Sequence, residues 1–298
     1  MKRYTILHRT YYNFSAPVEL GPHELRLRPR EGHELRIESS TLDIEPTAVL
    51  SWRRDAEDNS VAIARFGGAT RQLAIQSELV VQQYNLAPLD FELPGAAASW
   101  PFTYSPEDAA ALGPYRDTAS RVGGHDRVGS WLDGVGDWGG ERSTIVLLQR
   151  LNQRIHESLS YRARTEPGVQ EPEVTLAHGV GTCRDFAALF MEAARRLGFA
   201  ARFVSGYLRA DPSSVDFGAT HAWAEVFLPG AGWKGFDPTT CQLAGTDHFP
   251  VAVGHRPGIV PPVSGSFSGS ASAALEVGVW VTELPVAVAL PLDQASVR

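Results

Sequence analysis

Cysteine is scarce: the 298-residue chain holds two, Cys183 and Cys241. Two cannot build the several bridges of a disulfide-rich domain. The opening stretch "MKRYTILHRTYYNF" is charged and aromatic, with no apolar core of an export signal. Both cysteines are therefore expected as free thiols in a reducing compartment, and the protein as cytoplasmic. Long apolar runs are missing too. The most apolar late stretch, "AALEVGVWVTELPVAVALPL", is interrupted by Glu276, Glu283 and Pro285, so it does not make a spanning helix and no membrane partner is expected. Basic runs are lacking, and 27 Lys and Arg against 34 Asp and Glu leave a net charge of −7, which argues against nucleic acid as a partner. Histidines such as His178, His248 and His255 lack metal-ligand spacing of the H-E-x-x-H kind. No metal and no cofactor are expected, and no internal repeat is present.

What is there reads as three regions. The first ninety or so residues are a series of strands: "RYTILHRTYYNF", "ELRLRP", "ELRIESSTLDIEP", "EDNSVAIARFGG" and "RQLAIQSELVVQQYN" alternate apolar and polar residues between turn signals. Five or six short strands suggest a sandwich or curved sheet. From Leu86 to Pro101 the chain turns rich in Pro, Ala and Leu, marking a boundary. Beyond it, Ser105 can cap a helix with Pro106 at its first position, and Thr144–Ser160 is amphipathic through Leu147, Leu148, Leu151, Ile155 and Leu159. The glycine-rich stretch between them has no assignment. Strands are expected near Ala200–Leu208, Thr220–Leu228 and Trp233–Asp237, and "ALEVGVWVTEL" reads as one more. The resulting division is 1–92 for an N-terminal β domain, 93–265 for the core, and 266–298 for a C-terminal strand and tail packing on the sheets. The fold class is α+β.

The stretch "GVGTCRDFAALFMEAARRLG" carries the chemistry. Phe186, Leu189, Phe190, Ala193 and Leu197 form a helical stripe. Gly179 and Gly181 break the chain before it, Thr182 can cap it, Asp185 supports its first turn, and Gly198 ends it. Cys183 is thereby placed off the stripe at the amino end, where unpaired N–H groups and the helix dipole favour negative charge. There a thiol pKa falls from about 8.5 to roughly 3.5–7.5.

A thiolate needs a base, and the base needs an orienting group. In "THAWAEVFL", His221, Trp223, Glu225 and Phe227 share one strand face. After the turn, "WKGFDP" supplies Asp237. Pairing Leu228 with Trp233 would put Asp237 opposite Ala224, on the wrong face. A five-residue loop instead pairs Phe227 with Trp233 and makes His221 the diagonal neighbour of Asp237, which is the register expected. Trp223 and Trp233 are expected as walls that keep water from the pair. Cys241 is read as inert, and Glu225 has no assigned role.

Taken together, "GVGTCRDFA", "ARFVSGYL" and "HAWAEVFLPGAGWKGFDPTT" resemble the cysteine, histidine and aspartate blocks of the transglutaminase-like superfamily, and more closely its bacterial cysteine-protease branch. The likeness extends to "HFPVAVG" and to the amino-terminal β region. It implies a papain-like core, with a cysteine-bearing helix packed on an antiparallel sheet, preceded by a sandwich-like β domain. It also implies a catalytic triad: Cys183 as nucleophile, His221 as general base then acid, and Asp237 as orienter of the ring. Where that branch often carries an acidic residue after "VAVG", this chain reads "HRPGIVPP", so no substrate contact is assigned to that loop. The calcium sites of animal transglutaminases lie outside the matched blocks, and none is carried over.

The expected activity is acyl transfer on amide bonds through a thioester. Hydrolysis is favoured, with a peptide or small amide as substrate. One alternative is a transglutaminase or ligase using an amine acceptor; another is a non-catalytic scaffold with an idle papain-like core. The Cys183 backbone N–H is the natural first oxyanion donor.

Overall fold

The computed structural model describes residues 1–118, 126–134, 143–164, 166–211 and 218–285. Six strands come first: β1 (Lys2–Leu20), β2 (His23–Leu25), β3 (Leu35–Glu45), β4 (Val49–Arg54), β5 (Ser60–Arg65) and β6 (Ala69–Gln83). Strict alternation makes β1 a strand with one buried face, since Tyr4, Ile6, His8 and Thr10 point inward between half-exposed neighbours. Strand β6 lies along one edge of β1 and is flanked in turn by β3. A second sheet contains β2, β5 and β4. Phe14, Val18, Leu25, Ala62, Leu73 and Ile75 fill the space between the two sheets, so the expected sandwich-like β region is present.

Four helices follow: α1 (Gly95–Ala98), α2 (Pro106–Ala111), α3 (Gly113–Arg116) and α4 (Arg127–Gly134). Ser105 caps α2 as expected, its hydroxyl accepting the Asp108 N–H at 3.0 Å. Then come α5 (Thr144–Ser158), β7 (Ser160–Tyr161), α6 (Pro172–His178), β8 (Val180–Gly181) and α7 (Cys183–Arg196). The remaining strands are β9 (Ala201–Leu208), β10 (His221–Leu228), β11 (Gly232–Asp237), β12 (Gln242–Leu243), β13 (His248–Gly254), β14 (Val263–Ser264), β15 (Phe267–Ser268) and β16 (Ala273–Leu284). An antiparallel sheet in the order β12-β11-β10-β9-β13 forms the core. Ala222, Ala224, Val226 and Leu228 of β10 join Phe186, Leu189 and Phe190 of α7 and Leu147, Leu148 and Leu151 of α5 in one cluster.

One feature here differs from the sequence reading, and two others extend it. Helix α7 is buried almost all round, not along a stripe, because the sheet and α5 both cover it; Cys183, 6% exposed, is inside the same cluster. The segment "HFPVAVG" is a strand, β13, pairing with β9. Finally, β16 runs antiparallel along β1 from Phe14–Ala273 to Arg3–Leu284, so the late strand completes the first sheet. The tail beyond residue 285 and most of the glycine-rich stretch lie outside the described residues. The β region meets the core through Tyr4, Ile6, Leu79 and Val81 packed on Tyr207, Phe249 and Val251. Among the described residues, no helix is long and apolar enough to cross a membrane.

Candidate active site

Cys183 is the first residue of α7, so its backbone N–H has no acceptor within the helix. The turn before it is fixed by Asp185. The carboxylate, fully buried, accepts the Thr182 N–H at 2.8 Å and the Thr182 hydroxyl at 2.9 Å. It also accepts two bonds from Arg164, at 3.0 and 2.7 Å, and the Gln170 N–H at 2.7 Å. Burial alone would raise this acid; Arg164 and the N–H donors outweigh it and bring the Asp185 carboxyl down to about 2. The helix-supporting role expected for Asp185 is thus part of a larger clamp that also fastens the chain around Arg164 and Gln170. Gly181 is needed here because a Cβ would sit 2.9 Å from the Asp185 Cβ.

On the sheet, β10 and β11 pair with Phe227 opposite Trp233 and Ala224 opposite Phe236, the register expected. Pairing continues to Leu228 and Gly232, so the unpaired turn shrinks from five residues to Pro229, Gly230 and Ala231. Gly230 and Gly232 take positive φ (80° and 73°) that other residues resist. This register brings His221 to Asp237: Nε2 and Oδ2 are 2.8 Å apart, with both side chains fully buried. Helix α5 holds the chain behind them, Asn152 donating to the Asp237 carbonyl at 3.3 Å and His156 Nδ1 to the Thr239 carbonyl at 3.0 Å.

Burial opposes charge on His221, yet the Asp237 charge and hydrogen bond outweigh it, with a smaller contribution from nearby Cys183. The ring is held well above its ordinary value. Asp237 is held far below the usual carboxylate range against its own burial by His221 and then His248. Cys183 is thereby associated with His221, and His221 with Asp237.

His248 was not foreseen at the site. Its Nε2 lies 3.1 Å from Asp237 Oδ2, and the Thr240 hydroxyl reaches the same oxygen at 2.7 Å. No spacing in the sequence betrays this, because His221, Asp237 and His248 come from three separate strands. One ligand atom from each lies within 4.8 Å of the others, the proximity of a cation site. Both Nε2 atoms are directed at the same Asp237 oxygen, so the group forms a carboxylate with two imidazole partners.

Trp223 is the wall expected of it. Its ring stacks on His221 with centroids 6.1 Å apart and meets His248 edge-on at 5.1 Å. Gly206 and Gly235 make room: a Cβ on Gly206 would come within 2.6 Å of the indole and strike the Phe249 carbonyl, and one on Gly235 within 3.2 Å of the indole nitrogen. Trp233 does not share this task. It packs on Tyr115 and Phe227, with the Arg202 guanidinium 4.2 Å above its ring. Glu225 pairs with that same arginine at 2.7 Å. A cavity of about 320 Å³ lies between the β region and the core sheet, with Arg30, Gln83, Phe91, Trp223, Glu225 and His248 among its walls; Cys183, His221 and Asp237 do not line it. Cys241, exposed at the outer end, and buried Cys183 are both free thiols.

Fold and site define an α+β protein with a buried cysteine at a helix start and, on an antiparallel sheet, a buried histidine bonded to an aspartate. Residues 4–82 match the bacterial transglutaminase-like N-terminal region, and residues 137–238 the transglutaminase-like superfamily. An uncharacterized protein of Mycobacterium tuberculosis is 30% identical over 296 residues, covering 94% of this chain and 92% of the relative. A second, from Mycobacterium leprae, is 26% identical over 294 residues, covering 95% and 100%. The chain belongs to the transglutaminase-like superfamily. A Cytophaga hutchinsonii structure, described as that of a proposed cysteine protease, shares the fold with a TM-score of 0.71 at 16% identity, covering 96% of this chain and 91% of that one.

Proposed function

We propose that this protein is a cysteine-dependent acyl-transfer enzyme that hydrolyses amide bonds through a thioester, with Cys183, His221 and Asp237 as its catalytic residues. The observation that carries the reading is the buried His221 ring, bonded to Asp237 through Nε2 and associated with the thiol of Cys183 at a helix start. With Nε2 on the carboxylate, Nδ1 is the nitrogen that takes the thiol proton. The sulfur then attacks the amide carbonyl, and a carbon–sulfur bond forms. The carbonyl oxygen takes up the negative charge toward the Cys183 N–H. His221 gives its proton to the departing amine as the carbon–nitrogen bond breaks, leaving the thioester. Water, deprotonated by His221, releases the acid and restores the thiol.

Water is favoured over an amine acceptor because it needs no dedicated site, and the Cytophaga protein's description as a proposed cysteine protease points the same way. The free thiols fit a reducing, cytoplasmic setting. In this reading residues 1–92 buttress the core, residues 93–265, through the Tyr4–Phe249 contact.

Iodoacetamide labelling across pH tests the proposal. Cys183 is expected to react well below about pH 8, where an ordinary thiol is mostly protonated, and to lose that advantage in His221→Ala. Labelling like that of an ordinary thiol in both chains would favour a scaffold. A glutamine-containing peptide offered with a labelled primary amine separates the two reactions: incorporation of amine in excess of hydrolysis would make the protein a transglutaminase.

A further inference from the structure

Three donors converge on one carboxylate oxygen. Asp237 Oδ2 receives Thr240 Oγ1 at 2.7 Å, His221 Nε2 at 2.8 Å and His248 Nε2 at 3.1 Å. A carboxylate oxygen offers about two lone-pair directions, so these donors share its charge and compete for it. The other oxygen, Oδ1, is occupied by the Thr239 N–H at 2.9 Å. The His248 ring is 3% exposed and meets Trp223 edge-on, and its Nδ1 faces the Gly245 N–H at 3.5 Å. That surrounding fits a neutral ring with its proton on Nε2, directed at Asp237.

We propose that His248 is a positioning residue: by sharing Oδ2 with His221 it fixes the Asp237 carboxylate and limits how strongly that carboxylate retains the proton on the His221 ring. The purpose of this rests on the acyl-transfer reading. A ring that must deliver its proton to a departing amine works best when its proton affinity is not driven too high. Asp237 alone, deep in the core, would drive it high. A second donor on the same oxygen moderates that hold without removing the acid.

The titratable groups around this oxygen are few. His221 faces it from β10, and Cys183 lies beyond that ring on α7. Cys241 senses the Asp237 charge from outside, and His156 of α5 contacts the carbonyls of Pro238 and Thr239. Asp247, next to His248, is paired with Arg209 at the surface.

The test is an NMR titration of the full chain carrying ¹³C at histidine Cε1, with the His221 signal assigned through His221→Gln. In His248→Phe, which keeps an aromatic ring against Trp223 but has no donor, the His221 midpoint is expected to rise by roughly half a unit or more. In His248→Gln, whose amide can donate from the place of Nε2, it should stay within about 0.2 unit of the parent. An unchanged or lowered midpoint in His248→Phe, or an equal rise in both variants, overturns the proposal. Should His248→Phe fail to fold, the unaltered chain decides: His248 must be the Nε2–H tautomer wherever His221 is charged, and an Nδ1–H tautomer ends the case. The titration reads a ring, not turnover. Its failure would leave the thioester chemistry untouched, and an unreactive Cys183 would leave this inference standing.

Discussion

Asp185, at the start of α7, and Asp237, at the end of β11, are both fully buried and both held as anions, but their neighbours differ in kind. Asp185 is closed by Arg164, a permanent cation, and by backbone N–H groups. Asp237 is also held by backbone N–H groups, but its side-chain partners are two imidazoles and a hydroxyl. A guanidinium does not lose its charge at any pH a protein survives, whereas an imidazole changes charge near neutrality. The first arrangement is a fixed fastening for the helix that bears the cysteine. The second can pass a proton. The difference between the two carboxylates therefore lies in the partner, since both are closed to solvent.

Breaking each region should separate the two roles. The largest effect is expected from His221→Ala, which should slow acyl-enzyme formation on Cys183 by about 10²–10⁴-fold, the usual worth of a general base; mass spectrometry of the trapped acyl-enzyme reads it. Asp185→Ala should instead lower stability, by about 3 kcal/mol or more, because it leaves Arg164 without its anion in a mostly buried place. Urea unfolding measures that loss. The pH dependence of Cys183 labelling in the folded fraction should stay in place; if it collapses, the clamp and the proton-passing region are not separable.

pH sharpens the contrast further. The Asp185 carboxyl is depressed, so its contribution is complete above the ordinary carboxylate range and is lost only as pH falls toward about 2. The His221 ring is raised, so its contribution is complete below about 6.5 and is lost as pH climbs through its folded value. Urea midpoints should accordingly fall on the alkaline side in the parent chain. That alkaline loss should be much reduced in Asp237→Asn, and an identical slope in both would show that the pair does not stabilise the fold.

Gly206→Ala is the next smaller effect, about 1–3 kcal/mol from overpacking against the Phe249 carbonyl and the Trp223 indole. A shifted tryptophan emission together with a lower urea midpoint would register it. Least of all, Trp52→Ser on β4, a side chain 52% exposed, should change stability by no more than about 0.5 kcal/mol. A larger loss in the same urea titration would mean that this strand is covered by something in solution.

Local signals in the sequence were enough for much of this. The Ser105 cap, the start of α7 at Cys183 and the Phe227–Trp233 register each follow from neighbouring residues, and the register alone takes His221 to Asp237. What stayed hidden is non-local. Small residues such as Ala187, Ala188 and Ala194 fall outside the apolar stripe of α7, and only the packing of α5 and the sheet shows that they are buried. Arg164 gives no sign of Asp185 in the sequence, because α6 and β8 lie between them and only the fold brings the two side chains together. His248 stands on a strand interrupted by Pro250, and its route to Asp237 passes through β9 and β10, neither of which marks the distance in sequence.

The pairing of β16 with β1 has a bearing on how the molecule is made. Phe14 meets Ala273 and Arg3 meets Leu284, so a nascent chain that has already finished β6 still carries β1 with one bare edge until the whole core and then β16 have been made. During that interval the bare edge is open to strands of neighbouring nascent chains, and the first sheet cannot close until β16 has been made.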